Sequence, residues 1–81
     1  MLVHRDLKIG LVCYWQDGGW HGCHIITRWN KKFVYTKNYP SKKNEKEHRF
    51  ALSKFLDDHE CFNHLCEYGS YHKNIGKVIT I

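Results

Sequence analysis

The segment KIGLVCYWQDGGWHGCHIITRW, Lys8 to Trp29, decides the fold. Lys8 to Gln16 is rich in β-branched and aromatic residues, which favour a pleated strand. Asp17-Gly18-Gly19 follows and supplies the positive φ that a tight hairpin turn needs. Trp20 to Trp29 reads as the returning strand. Working outward, Asn30-Lys31 suits a second tight turn, and Lys32 to Tyr39 makes a third strand ended by Pro40. The result is a three-stranded antiparallel meander.

Strand alternation sorts these residues by face. Leu11, Cys13 and Trp15 share one side of the first strand, and Val12, Tyr14 and Gln16 the other. On the second strand Cys23, Ile25 and Thr27 fall together, opposite His24, Ile26 and Arg28. Both sides are partly apolar, so period alone does not choose the buried one. The strands carry more aromatics than one helix covers (Tyr14, Trp15, Trp20, Trp29, Phe33, Tyr35 and Tyr39), so some are expected at the surface.

The second half reads as helix. Asn44 with Glu47 three residues on resembles a capping box, and Ala51, Leu52, Phe55 and Leu56 form one apolar face at helical spacing. Asp57 and Glu60 repeat the cap-like spacing. A second, shorter helix would run through Phe62 and Leu65 to a stop near Gly69. Ser70 to Gly76 is a polar loop, and Lys77 to Ile81 is a β-branched final strand. The 81 residues make one small α+β domain, β-β-β-α-(α)-β, with a three- to four-stranded antiparallel sheet packed against one or two helices. The strand-strand-strand-helix order of residues 20–58 is similar to that of small DNA-binding sheets of the integrase N-terminal kind. The similarity is topological, without a diagnostic motif.

Charge is segregated along the chain. Arg28, Lys31, Lys32, Lys37, Lys42, Lys43, Lys46, Arg49 and Lys54 face only Glu45 and Glu47 in the same stretch, a net +7 against +5 for the whole chain. From Asp57 to Glu67 there are four acids and no Lys or Arg. Like charges held close repel, so the basic block suggests a surface for an anionic partner. Lysines neutralise phosphates, and aromatic faces stack bases at about 1–3 kcal/mol each. Arg28, Lys31, Lys32, Tyr35, Lys37 and Tyr39 would form such a nucleic-acid surface, extended by Lys42 and Lys43, for a single strand or for a duplex groove. No RNA-recognition, KH, helix-turn-helix or zinc-finger signature accompanies it.

The alternative is a protein-binding inhibitor of a host nuclease, polymerase or defence protein. Ten lysines to three arginines is the bias of AT-rich coding, as in phages and mobile elements. Tyr14, Trp15 and Trp20 flank the Asp17-Gly18-Gly19 turn and would anchor that interface at a protruding tip; alternatively, Trp15 and Trp20 are cross-strand partners. Ile79 and Ile81 at an outer strand offer an edge through which two copies would pair as a homodimer.

No catalytic constellation stands out. A glycine-rich phosphate loop and a nucleophile elbow are both missing, and Asp57, Asp58 and Glu60 read as helix-cap acids, so the chain is expected not to be an enzyme. His59, Cys61, His64 and Cys66 suggest a zinc quartet, but at about 100° per residue on one helix His59 and Cys66 lie within about 20° of each other, and Cys61 and His64, about 60° apart, lie on the opposite side. His21, Cys23, Cys61 and His64 would make a chemically sound Cys₂His₂ zinc set. The stronger expectation is no cofactor, with Cys66 a small core hydrophobe and the histidines at the surface or in caps. The longest apolar run, Leu11 to Trp15, is far too short to span a bilayer. A signal-peptide pattern is missing from the first residues, so a cytoplasmic chain with reduced Cys13, Cys23, Cys61 and Cys66 is expected.

Overall fold

A computed structural model of the chain describes residues 2–17, 20–39, 44–60 and 74–80. The meander forms as β1 (Val12–Asp17), β2 (Trp20–Trp29) and β3 (Phe33–Tyr39). It is followed by β4 (His48–Ala51), α1 (Leu52–Asp58) and the two-residue β5 (His59–Glu60). All five strands lie in one antiparallel sheet, in the order β4-β3-β2-β1-β5. A short 3₁₀ helix, His4–Asp6, precedes them; the Val3 N–H donates to the Asp6 carboxylate at 2.9 Å.

The second half departs from its helical reading at its start. His48 to Ala51 is strand, with Thr36 opposite His48, Tyr35 opposite Arg49 and Val34 opposite Phe50. Ladder bonds to the free edge of β3 outweigh the weak local helix preference of four residues. Asn44 sits in a turn at φ 64°, and Glu47 bonds across to β2, so neither forms a capping box. Helix α1 opens where the Leu52 N–H reaches the Lys32 carbonyl, 2.8 Å away, and has no side-chain cap. It closes after seven residues because His59 turns extended and pairs with Trp15. Asp57 and Asp58 therefore sit in its last turn, against the helix dipole; Lys54 pairs with Asp58 at 3.2 Å. Glu60 is in β5, opposite Tyr14. The second helix expected through Phe62 and Leu65 lies outside the described residues.

Both sheet faces are covered. On the helix face, Leu11, Cys13, Ile26 and Val34 pack with Phe55 of α1 and with Leu2 and Leu7 of the N-terminal segment. On the other, here the tail face, Val12, Tyr14, Cys23 and Ile25 pack under Ile75, with Tyr39 and Ile79 at the margin. The final segment is a tail on β1 more than a strand: Val78 forms one antiparallel bridge to Leu11. The Ile79 N–H donates to the Gly10 carbonyl at 2.8 Å. Gly10 has φ +90°, and a Cβ there would lie 2.1 Å from the Ile79 carbonyl oxygen, so the tail seats only against glycine. Ile79, one of the two isoleucines expected at a dimer edge, packs at the margin of the tail-face core; Ile81 lies outside the described residues.

A bulge between Ile26 and Arg28 breaks the alternation of β2. Arg28 moves off the face of His24 and Ile26 and onto the tail face, opposite Tyr35, while Trp29 packs against the helix-face core.

Candidate nucleic-acid interface

The bulge assembles a small array at the β2–β3–β4 end of the tail face. Register sets Arg28 beside Tyr35 and Tyr35 beside Arg49. The Arg28 guanidinium carbon lies over the Tyr35 ring, 3.8 Å from its centroid, and that of Arg49 lies over Phe33 at 4.6 Å. The two rings are 6.4 Å apart. Each cation–π stack contributes about 0.5–1 kcal/mol at an exposed site. More usefully for binding, each flattens a long side chain into a plane on which a base can stack.

Glu47 completes the array. Its Oε1 accepts from Arg28 Nε at 3.2 Å and Nη2 at 3.1 Å, and its other carboxylate oxygen accepts from the hydroxyl of Thr27 in the bulge. The Thr27 hydrogen bond first and the Arg28 hydrogen bonds second hold the Glu47 carboxyl below its ordinary value.

Next to it, the β2–β3 turn is fixed by Asn30, whose Oδ1 accepts from the Lys32 and Phe33 N–H groups at 2.8 Å each. Lys31 and Lys32 project from this turn into solvent. Lys37 lies further along β3 on the same face, half-buried opposite Ile25. Of the residues expected to contact nucleic acid, Arg28, Lys31, Lys32, Tyr35 and Lys37 are thus brought to one end of one face. Tyr39 shares the face but packs against the tail-face core, and its hydroxyl oxygen accepts from Asn74 Nδ2 at 2.6 Å, a structural role. Lys42 and Lys43 lie outside the described residues. Arg49 and Phe33 belong to the array although the sequence did not single them out as contacts. Their partnership comes from the pairing of β4 with β3, which local sequence does not announce.

Of the residues proposed to anchor a protein partner, the structure describes the side chains of Tyr14 and Trp15. Tyr14 is 3% exposed within the tail-face core, and Trp15 is half-buried on the other face against His24, with ring centroids 5.6 Å apart. Trp15 is opposite Gly22 and Trp20 is opposite Asp17, so the two tryptophans are not cross-strand partners. The Trp20 side chain lies outside the described ones.

A second cluster of polar groups occupies the helix face. His24 Nδ1 and His59 Nε2 are 2.8 Å apart and buried. His59 Nδ1 is 3.2 Å from the Phe55 carbonyl, which can only accept. His59 therefore carries its proton on Nδ1, its Nε2 accepts, and His24 donates from Nδ1. The His59 ring stacks on Phe55, centroids 4.0 Å apart, with Phe50 edge-on at 5.2 Å. Burial pushes His59 down to about 3, with His24 adding to the fall and the Phe55 hydrogen bond and Asp58 opposing it. Burial likewise lowers His24 to about 4, helped by His48 and opposed by Glu45. Both rings are neutral at pH 7. The expectation that His59 is a surface or cap residue is thereby corrected: it is wholly buried.

Cys23, one of the zinc set, is buried on the tail face, and burial raises its thiol to about 11. The described part of His21 is backbone only, and Cys61 and His64 lie outside the described residues. Among the described residues, no group of three or more His, Cys, Asp or Glu side chains could hold a metal ion. Among the same residues, no helix is long and apolar enough to cross a membrane.

No family model, no curated protein and no solved structure matches the chain.

Proposed function

We propose that the protein binds nucleic acid without catalysing a reaction on it. The contact surface is the β2–β3–β4 end of the tail face with the Asn30–Lys32 turn, and the ligand is a single strand. The observation that carries this is the pair of adjacent arginine–aromatic stacks, Arg28 on Tyr35 and Arg49 on Phe33. Planar cations fixed on rings offer unpaired bases a stacking platform and offer the backbone a charge-assisted donor. Lys31 and Lys32 add phosphate contacts beside the platform. A duplex hides the base faces, so the stacks favour a flexible strand.

The test is anisotropy of a fluorescent oligonucleotide titrated with the protein at a series of salt concentrations. Binding should appear at low salt and weaken steeply, with a slope of about −0.7 for each phosphate contacted on a single strand. A matched duplex should bind more weakly. No binding of either at low salt would overturn the proposal.

A further inference from the structure

Glu47 stands inside the basic face and engages the cation at its centre. Arg28 uses Nε–H and one Nη2–H on a single carboxylate oxygen, at 3.2 and 3.1 Å. These are donors that a phosphate would also take, since guanidinium presents the same fork to carboxylate and to phosphate. Thr27 holds the other carboxylate oxygen, so Glu47 is fixed from two sides by adjacent residues of the bulge. Arg28 and Glu47 together carry no net charge, although both are exposed. The Arg28 guanidinium also lies across the Tyr35 ring, which holds it flat beside Glu47.

We infer that Glu47 is a built-in competitor for the phosphodiester of a single-stranded nucleic acid, and that Arg28 changes partner from the Glu47 carboxylate to a ligand phosphate on binding. The inference rests on the nucleic-acid reading and adds to it a residue that sets affinity. In the unliganded protein the contact neutralises Arg28 and orients it. When a strand arrives, its phosphate displaces a carboxylate that Thr27 still holds nearby. The exchange leaves one more phosphate contact than the resting charge of the face implies. It also opposes weak anions: an isolated ion must displace Glu47 without the accompanying gain from base stacking on the two arginine–aromatic pairs.

Glu47→Gln is the direct test, since glutamine keeps an oxygen for Thr27 and removes the charge that holds Arg28. Asp57→Asn, on α1 and exposed, removes one negative charge elsewhere and serves as the control. Affinity for a labelled oligothymidine is measured against salt for wild type, both variants, Arg28→Ala, and Arg28→Ala combined with Glu47→Gln. Glu47→Gln should bind at least about threefold tighter with little change in salt slope, because Arg28 meets a phosphate in both bound states and only the competing carboxylate is lost. Asp57→Asn should change affinity by less than twofold, roughly the effect of one distant screened charge. In the Arg28→Ala background, Glu47→Gln should do no more than Asp57→Asn does in the wild type. Wild type that binds while Glu47→Gln gains no more than Asp57→Asn would overturn the inference and leave the nucleic-acid reading standing. Binding by none of the five proteins would remove the reading itself. Binding by Glu47→Gln alone would support both.

Discussion

Arg28 lies 3.8 Å from the centre of the Tyr35 ring on one face of the sheet, and His59 lies 4.0 Å from the centre of Phe55 on the other. Both are flat nitrogen groups on an aromatic ring, and both make a second polar contact across strands, to Glu47 and to His24. Their charge states differ because their solvation differs. The Arg28 side chain is 59% exposed and keeps its hydration, so the ring adds attraction at little desolvation cost. His59 is 0% exposed, and an imidazolium there would lose its water, a cost that outweighs the opposing pull of Asp58, so the ring stays neutral. The pairing of nitrogen plane and aromatic ring thus serves two purposes. Where water reaches it, it offers charge to a ligand; where water does not, it fills and orders a core.

The comparison breaks first on stability. His59→Ala removes a fully buried ring, leaves a cavity against Phe55 and Phe50, and strips the acceptor from His24. The expected loss is about 3–5 kcal/mol in urea unfolding, a large share of the roughly 5–15 kcal/mol typical of a small domain. Arg49→Ala on the other face should cost under about 1 kcal/mol. Equal losses at the two sites would refute the division between core and surface.

Acid sharpens it next. His24 and His59 have folded pKa values of about 4 and about 3, below the ordinary unfolded value near 6.5. Between those limits the unfolded chain binds protons that the native one refuses, so stability is complete above pH ~6.5 and falls as pH drops toward 4 and then 3. Unfolding midpoints at pH 7 and pH 5 should therefore differ, and the difference should shrink in His59→Phe. A flat profile across that window would show that the pair titrates freely.

The smallest effects belong to the exposed face. Arg28→Ala and Arg49→Ala should each weaken oligonucleotide binding by roughly three- to tenfold and flatten the salt slope by about 0.7. Neither should shift the unfolding midpoint as His59→Ala does. Unchanged affinity in both would detach the stacks from function.

The two faces were unequally legible in the sequence. The meander was readable because its turns carry strong local chemistry: β2 runs from Trp20 to Trp29 as read, and β3 begins one residue later than Lys32. Phe55 was rightly placed on an apolar helix stripe. Local chemistry says nothing of β4, four residues whose structure exists only through pairing with β3. Nor does it announce the bulge at Thr27, which moves Arg28 to the face of Tyr35; simple alternation put Arg28 with His24. The histidine pair was out of reach for a related reason. His24 and His59 are 35 positions apart and meet because Trp15 of β1 stands between Gly22 and His59 in the ladder. Of the candidate interface, the cations and Tyr35 were visible as a basic, aromatic block. Arg49 and Phe33 were hidden because their partnership depends on where β4 begins.

The most direct measurement is an amide chemical-shift map of the protein titrated with a single-stranded oligonucleotide. The largest changes should fall at Arg28, Lys31, Lys32, Phe33, Tyr35 and Arg49, with Cys13, Phe55 and His59 little moved. Changes centred on the helix face, or none at a concentration where binding is established, would contradict the assignment of function to the exposed stacks.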